Sequence, residues 1–282
     1  MKPGFDRIGI VGLGLMGGSI AWALRRLPKA PRVVAFTRDR EEAVRALEGG
    51  AIDAFTETPD EAVYGQHLVL YATPLGAMKD LMSEHRDLWG DATVTDVAGL
   101  KAPLLECARG DEYAFRYVGS HPMAGRAESG FAAATPDLFV DEVVWVIRGD
   151  ATPDRAAAVE SLWTSIGGRV RTIEADAHDH LMAWVSHVPQ MLATVLARTL
   201  EGQGLRASDV GPGGRDMTRL AGSAPELWSD LFTANRELDL RALETLREEL
   251  ETMTAALTAG SYRDIAEMMS GTRRWRRDRE EN

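Results

Sequence analysis

One histidine, His121, has both the side-chain type and the setting for acid–base chemistry. It lies in the segment GSHPMAG at residues 119–125, directly after a predicted strand at residues 117–120. In open parallel sheets, ligands bind beyond the carboxyl ends of the strands. A histidine held there by Pro122 could accept a hydroxyl proton while a hydride leaves the same carbon atom. From these residues alone, a structural histidine that caps a glycine-rich loop explains the segment equally well.

A glycine-rich turn near the start of the chain could bind the phosphates of a dinucleotide. A short β-branched run at residues 7–11 leads into Gly12-x-Gly14-x-x-Gly17, and residues 19–26 have the pattern of a helix. In this motif the first glycine allows the tight turn, the second lets the backbone approach the pyrophosphate, and the third lets the helix pack against the strand. The framing by a strand and a helix favours a ligand site over a merely glycine-rich turn. We therefore predict cofactor contacts throughout the loop, at Gly12, Leu13, Gly14, Leu15, Met16 and Gly17.

The end of the second predicted strand, at residues 31–36, bears on the choice between NAD and NADP. About 20 residues after the glycine motif, a dinucleotide site normally has an acidic residue that binds the ribose hydroxyls. This chain has Thr37 and Arg38 there, followed by Asp39. A hydroxyl and a guanidinium suit a 2′-phosphate, which predicts NADP. NAD is the alternative, if Asp39 takes the acidic role or Arg38 is only a solvated charge. Three residues at the ends of later predicted strands complete the expected cofactor contacts: Thr73, Pro74 and Asp96.

The elements that must position these residues predict an α/β fold. Short apolar runs alternate with helical stretches, which predicts a Rossmann-type, doubly wound parallel sheet. The later strands are expected at residues 67–73, 93–97, 117–120 and 143–147, and an edge strand could follow at 170–173. Beyond this point the chain is nearly all helix. We therefore predict a dinucleotide-binding domain at residues 1–174 and an all-α domain at residues 175–282.

Two features of the helical half predict an irregular helix and a possible subunit contact. Pro189 lies inside a long helical stretch at residues 178–200, so we expect a kink with freed backbone carbonyls near His187. Spacings of three and four residues form a coiled-coil-like seam, made of Leu243, Leu246, Leu250, Met253 and Leu257. An internal bundle helix would also have this spacing. We predict a homodimer.

Composition and charge exclude several classes of function. At 282 residues the chain exceeds the usual size of one domain, about 100–200 residues. Its formal net charge of −11 argues against sequence-independent binding to nucleic acid or to an anionic membrane, because both need a broad basic surface. The uncharged stretch at residues 8–24 contains five glycines and is shorter than the ~20 residues of a membrane span. The single Cys107 cannot form an internal disulfide, and with no targeting segment we predict a cytoplasmic protein.

The other histidines predict no metal site. His67 and His85 lie at a strand start and in a charged stretch, so we expect both at the surface. His178 and His180 form a His-x-His pair, but no cysteine or carboxylate spacing of a known metal site accompanies them.

Five segments, taken together, resemble the prephenate and arogenate dehydrogenases of tyrosine biosynthesis. They are GLGLMGGSIA at 12–21, TDVAGLK at 95–101, VGSHPMAGRAESG at 118–130, HDHLMAWVSHVPQ at 178–190 and GGRDMTRLA at 213–221. They occur in the family's order, and the resemblance covers about residues 7–257. The SHPMAG and SHxP segments are far more specific than the glycine motif.

The resemblance implies a Rossmann domain followed by a helical dimerisation domain, with the active site between them. The implied reaction is the oxidative decarboxylation of a cyclohexadienol: hydride passes from the carbinol carbon to the nicotinamide, a histidine takes the hydroxyl proton, and carbon dioxide leaves as the ring becomes aromatic. By position, His121 is the implied proton acceptor, Arg219 matches the arginine that binds a substrate carboxylate, and His187 matches the histidine of SHxP. Ser120 and Gln190 are further expected substrate contacts. A dianionic substrate suits an acidic protein that has such local cations.

Three positions depart from the family pattern. Gly99 stands where the family commonly has a serine, Gln190 where many prephenate-specific members have a second histidine, and Ala127 where some have a glutamate. Arogenate-preferring members resemble this chain more closely in the SHPMAG loop and in the pair Thr37 and Arg38. The choice between prephenate and arogenate therefore stays open, and so does a 4-amino analogue of prephenate.

Two other functions fit part of the pattern. A 3-hydroxyacid dehydrogenase shares the GLGxMG opening and a helical second domain, but its chemistry uses a lysine in that domain, and this chain has no lysine after Lys101. A nucleotide-sensing protein would bind NAD(P) without turnover, but it would not need His121 and Arg219.

Overall fold

A computed structural model describes residues 4–109, 113–126 and 128–277, so Ala127 lies outside the described residues. The strands are β1 Arg7–Val11, β2 Arg32–Phe36, β3 Ala54–Phe55, β4 Leu68–Tyr71, β5 Thr93–Asp96, β6 Gly119–Pro122, β7 Val143–Ile147 and β8 Arg169–Thr172. The helices are α1 Leu15–Arg25, α2 Arg40–Glu48, α3 Pro59–Val63, α4 Leu75–Glu84, α5 Ala102–Cys107, α6 Pro153–Ser165, α7 Ala175–Met182, α8 Val188–Gly202, α9 Pro212–Thr218, α10 Pro225–Ala234, α11 Arg236–Thr258 and α12 Tyr262–Arg277. None of the helices in these described ranges has the length and apolarity needed to cross a membrane.

Five parallel strands form the first sheet, in the order β3-β2-β1-β4-β5. Val11 at the end of β1 is in register with Phe36 on one side and Tyr71 on the other, and Tyr71 is in register with Asp96. The carboxyl ends of β1, β4 and β5 therefore lie side by side. β4 and β5 are buried along their whole length, as expected of strands that are covered on both faces. This sheet confirms the predicted Rossmann-type fold.

The core follows from the two-residue period of the strands. Ile8 and Ile10 of β1 enter one apolar cluster, together with Ile20 of α1. Val11 faces the opposite side and enters a second cluster with Met78 of α4. Alternate side chains thus fix helices on both faces of the sheet.

The last three strands form a second sheet that the sequence pattern did not predict as separate. β6 pairs antiparallel with β7, and β7 pairs parallel with β8. A parallel pair needs a long crossover connection, which α6 supplies between β7 and β8, whereas the described residues between β6 and β7 contain only the short 3-10 turn Phe131–Ala133. The antiparallel pairing also extends β6 beyond residue 120, because His121 pairs with Trp145. His121 therefore lies within a strand, which corrects its expected place in the loop that follows.

The long helix expected at residues 178–200 is divided near His187, as predicted. α7 leads into a π-helical turn at Ala183–His187, and α8 begins at Val188 with Pro189 in its first turn. Proline has no N–H group to donate, and its ring clashes with the carbonyl four residues earlier, so a regular α-helix cannot continue through this point.

The chain divides into two compact units, Met1–Asn235 and Arg236–Asn282. The second unit contains α11 and α12. The predicted apolar seam lies on α11, where Leu250, Met253 and Leu257 are exposed. The domain boundary after residue 174 stays a prediction.

Candidate active site

Two glycines of the nucleotide loop are required by the protein's own packing. Gly12 has a φ of +105°, in the left-handed region, and a Cβ there would lie 2.6 Å from the carbonyl oxygen of Ala72. A Cβ on Gly17 would collide with the carbonyl oxygen of Gly12. The turn after β1 and the close approach of α1 therefore explain both residues.

Gly14 is different, because the packing of the described residues does not require a glycine there. It is the N-cap of α1, and a Cβ on it would meet no described atom within 4 Å. The space in front of this helix N-terminus is where the motif lets a pyrophosphate approach the backbone. Nearby, the hydroxyl of Thr73 is buried and has no hydrogen-bond partner among the described residues, and its methyl carbon would lie 3.1 Å from a Cβ on Gly12. The loop fits a dinucleotide.

The other predicted loop contacts are placed at the same edge of the sheet. Leu13 is fully buried in the core, so its backbone is what the loop can offer to a ligand. Leu15 and Met16 begin α1 and are half-buried. Pro74 is the N-cap of α4, directly after Thr73.

The carboxylate of Asp39 is already occupied. Its Oδ1 accepts hydrogen bonds from the backbone N–H groups of Glu41 and Glu42 at 2.9 and 3.2 Å, so Asp39 is the N-cap of α2. Thr37 and the exposed Arg38 are the side chains next to it at the end of β2. The hydroxyl of Thr37 accepts from the backbone N–H of Asp39 at 3.4 Å.

His121 lies at the end of a chain of polar contacts. Its Nδ1 is 2.9 Å from Nε2 of His178, and Nδ1 of His178 is 2.8 Å from Oδ1 of Asp179. Burial lowers the pKa of His121 well below its usual range, and the nearby charges of Lys101, His178 and His187 lower this pKa further. His121 is therefore neutral at pH 7 and able to accept a proton.

Gly99 is close to the same ring. It follows β5, and a Cβ on it would lie 4.0 Å from Cε1 of His121 and 3.4 Å from a methyl group of Leu231. The position that commonly has a serine in the family therefore lies next to the ring of His121, and in this chain it offers no hydroxyl.

Lys101 and Asp96 form a fully buried ion pair beneath this site. The Lys101 ammonium donates to Oδ1 of Asp96 and, at 2.6 Å, to the carbonyl oxygen of Ser120. Oδ2 of Asp96 accepts from the hydroxyl of Tyr117 at 2.7 Å. Burial lowers the pKa of Lys101, while the charge of Asp96 opposes that shift. Both carboxylate oxygens of Asp96 are thus engaged by groups of the protein, and the side chain is fully buried.

Ser120 is also directed away from His121. Successive side chains of a strand point to opposite faces, and Ser120 Oγ lies 2.8 Å from the hydroxyl of Thr95 and accepts from Trp163 Nε1 at 2.9 Å. The structure does not bring the side chains of Ser120 and His121 together.

His187 and Gln190 are both buried in the helical part of the first unit. The ring of His187 stands edge-on to Trp228 and Phe232, with ring centres 5.8 Å apart in each pair. Gln190 donates through Nε2 to the carbonyl oxygen of Leu220 at 2.9 Å. Gln190 therefore holds the 3-10 turn that contains the next predicted residue, Arg219.

Arg219 begins the turn Arg219–Gly222 and is exposed. Within the described ranges, its guanidinium has no carboxylate partner closer than 4 Å. A free arginine on a turn anchored by Gln190 can bind an anion.

Sequence reasoning did not assign roles to Lys101, His178 and Asp179. The signal for Lys101 is its place in TDVAGLK, just after a buried strand. For His178, the His-x-His spacing suggests only a metal ligand and gives no sign of its contact with His121. The expectation that His85 is at the surface was wrong: it is buried, with Nδ1 at 3.0 Å from the hydroxyl of Tyr71.

Both halves of the chain match models of one family. Residues 20–172 match the prephenate dehydrogenase nucleotide-binding domain, and residues 174–271 match the prephenate dehydrogenase dimerization domain.

Individual relatives agree with these matches. A cyclohexadienyl dehydrogenase from Zymomonas mobilis is 31% identical over 271 residues, which cover 92% of this chain and 91% of the relative. A prephenate dehydrogenase from Bacillus subtilis is 30% identical over 282 aligned residues, covering 92% of this chain and 76% of the relative.

Two solved structures have the same fold over nearly their whole length. The prephenate dehydrogenase of Aquifex aeolicus, in complex with hydroxyphenyl propionate and NAD+, has a TM-score of 0.90 and 25% identity, covering 97% of this chain and 98% of that one. The arogenate dehydrogenase of Synechocystis has a TM-score of 0.80 and 25% identity, covering 96% and 99%.

Proposed function

The chain belongs to the prephenate dehydrogenase family, and we propose that its reaction is the oxidative decarboxylation of prephenate or arogenate, with His121 as the proton acceptor. It is an NAD(P)-dependent oxidoreductase. The observation that carries the role of His121 is the position of its half-buried imidazole beside Gly99, which follows β5, with Nδ1 in contact with His178.

The register of the first sheet supports a single site for the cofactor and the proton acceptor. The ends of β1, β4 and β5 are adjacent, so Gly12, Thr73 and Gly99 follow neighbouring strands. Gly14 and Thr73 would hold the dinucleotide, and Gly99 adjoins His121. A ring substrate bound at this edge would have its carbinol carbon near both the dinucleotide and His121.

In this proposal, side chains of the protein accept the hydroxyl proton of the substrate and bind its carboxylate. When bound, the nicotinamide supplies the hydride acceptor. His121 accepts the hydroxyl proton, because its low pKa keeps the imidazole unprotonated before the reaction. Arg219 binds a substrate carboxylate, and His187 lines the substrate side in this proposal. Loss of carbon dioxide then gives the aromatic ring.

The identity of the ring substrate is the finer part of the proposal. Gly99 provides no hydroxyl next to His121, and the amide of Gln190 is used to hold Leu220. We take prephenate and arogenate as the two candidates, and a 4-amino analogue of prephenate as the alternative.

NADP is the cofactor that the end of β2 favours. Asp39 caps α2, which leaves Thr37 and Arg38 for a 2′-phosphate. Kinetics with both cofactors test this: we expect a higher kcat/KM with NADP+, and Arg38→Ala should lower that value toward the value for NAD+. A clear preference of the unaltered protein for NAD+ would contradict the assignment.

A homodimer built on the helical region completes the proposal. The dimerization-domain match and the exposed apolar side chains on α11 both support it. In this proposal the nucleotide-binding domain comprises residues 1–174 and the dimerisation domain residues 175–282.

The replacement His121→Asn tests the central role. Removing a general base typically costs about 100- to 10,000-fold in rate. We expect that loss in the production of reduced cofactor from prephenate or arogenate, with cofactor affinity nearly unchanged in a fluorescence titration. His67→Asn, at a half-buried position outside the site, is the matched control. Undiminished turnover by the His121 variant would overturn the assignment, and cofactor binding without turnover by the unaltered protein would favour a sensor.

A further inference from the structure

We propose that His178 and Asp179 are positioning residues that hold the ring proton of His121 on Nδ1, so that Nε2 is free to accept the substrate proton. The proposal rests on the function proposed above. It assigns a role to two buried residues that the reaction as described does not use.

The first step is the state of His178, which Asp179 determines. Oδ1 of Asp179 lies 2.8 Å from Nδ1 of His178 and accepts from the backbone N–H of Lys101, also at 2.8 Å. Its Oδ2 accepts from the backbone N–H of Ala102 at 2.9 Å. An ionised carboxylate can only accept, so Nδ1 of His178 must carry a hydrogen. The two amides at the start of α5 keep the carboxylate in place.

The second step is the position of the ring hydrogen on His121, which follows from that on His178. Burial and the charge of Lys101 lower the pKa of His178, although the hydrogen bond to Asp179 opposes them, so His178 is neutral at pH 7. A neutral ring with hydrogen on Nδ1 has an acceptor at Nε2. The 2.9 Å contact therefore requires His121 to donate from its own Nδ1. Neutral His121 then has its lone pair on Nε2, which is the form that can accept a hydroxyl proton.

The surroundings of His121 explain why this contact matters in this chain. Gly99 has no side chain that could form a hydrogen bond with His121. The side chain next to Gly99 is that of Leu231, which is apolar. The ring of His178 stands edge-on to that of His121, at 74° and with ring centres 5.1 Å apart. When His121 becomes an imidazolium, the same contacts connect it to the Asp179 carboxylate, which stabilises the new charge.

The kinetic test compares two replacements of His178 with a control on the same helix. His178→Leu removes the acceptor, whereas His178→Gln keeps an oxygen that can accept from His121. A hydrogen bond to a charged group is worth about 10- to 100-fold in rate. We expect the Leu variant to lose that factor in kcat, with KM and cofactor affinity within about twofold of the unaltered protein. The Gln variant should recover most of the loss, and His180→Leu, at an exposed position two residues away, should match the unaltered protein.

Two kinetic results would overturn the proposal. One is a His178→Leu variant whose kcat is within about twofold of the unaltered protein. The other is an equal loss in the Leu and Gln variants, because a merely structural role does not distinguish an acceptor from an apolar group.

A spectroscopic measurement tests the same idea on the unaltered protein, so it does not depend on whether the His178 variants fold. Nitrogen-15 NMR of histidine-labelled, unaltered protein separates protonated from unprotonated ring nitrogens, and the His121→Asn spectrum identifies the His121 signals. We expect a protonated Nδ1 and an unprotonated Nε2 at pH 7.5, and the reverse would refute the proposal. If the protein turned over no cyclohexadienol, the proposed function would fail, while the NMR result would still decide the state of His121.

Discussion

The buried pair of Lys101 and Asp96 makes a quantitative prediction about stability. Both side chains are fully buried. The replacement Lys101→Met keeps much of the length of the side chain but removes its charge and its hydrogen bonds to Asp96 and Ser120. Asp96 would then be an ionised group without a counter-ion inside the protein.

The expected loss of stability follows from the partners that Asp96 retains. Removing one partner of a buried ion pair costs about 3–5 kcal/mol. Asp96 would keep three neutral donors, the Tyr117 hydroxyl and the backbone N–H groups of Ala98 and Ser120. We therefore expect the lower end, about 3 kcal/mol, which corresponds to a fall of roughly 6–12 °C in Tm for a unit of this size.

Urea denaturation and calorimetry measure the change. Arg148→Met is the matched control, because Arg148 donates to Glu160 at 2.8 Å in an ion pair at the surface, where such pairs contribute about 0–1 kcal/mol. Adding Asp96→Asn to Lys101→Met should recover part of the loss, since no charge is then left unpaired. A free energy of unfolding for Lys101→Met within about 1 kcal/mol of the unaltered protein, or equal to that of the control, would refute the reasoning.

Three further predictions concern acid stability, assembly and cofactor binding. Lowering the pH from 7.5 to 5.5 should lower Tm, because three histidines have a lowered pKa in the folded state, His85, His121 and His178. The folded state therefore binds fewer protons than the unfolded state near the ordinary histidine pKa of about 6.5, at a cost of up to ~1.4 kcal/mol per pH unit for each group. A Tm that is constant over this range would contradict that account. Leu250→Glu, in the exposed part of the α11 seam, should halve the mass measured by light scattering, and an unchanged dimer would exclude this face as the contact. Gly14→Ala should fold normally yet bind NADP+ at least about tenfold more weakly, whereas Gly17→Ala should be destabilised; equal cofactor affinity at Gly14→Ala would remove the loop from the phosphate site.

The sequence predicts those features of the site that depend on short stretches of chain. Gly17 is recognisable because a Cβ on it would collide with the carbonyl oxygen of Gly12 in the same motif, and Gly12 because the tight turn after β1 needs its positive φ. Pro189 predicts the irregular helix for the same reason. The strand position of His121 depends instead on Trp145, which lies beyond a long connection, and antiparallel pairing across such a distance has no local signal.

The buried polar contacts are the part that sequence could not supply. His178 contacts His121, which is 57 positions away, and Asp179 caps a helix start 78 positions away. His85 has charged neighbours in the chain, which favoured the surface, but the hydroxyl of Tyr71 in a different element provides its buried partner. Such partners can be identified only once the fold has placed them.

Burial distinguishes the two positively charged side chains of the candidate site, because Lys101 is fully buried and Arg219 is exposed. Lys101 cannot bind the substrate directly, because its ammonium is enclosed and donates to Asp96 and Ser120. Burial is the main cause of the lowered pKa of His121, and the charge of Lys101 lowers this pKa further from a distance. That same charge would oppose the proton that His121 accepts, so the transfer needs an opposing negative group. Asp179, reached through His178, is the carboxylate whose contacts lead to the ring, and in the proposed reaction the exposed Arg219 binds the substrate anion.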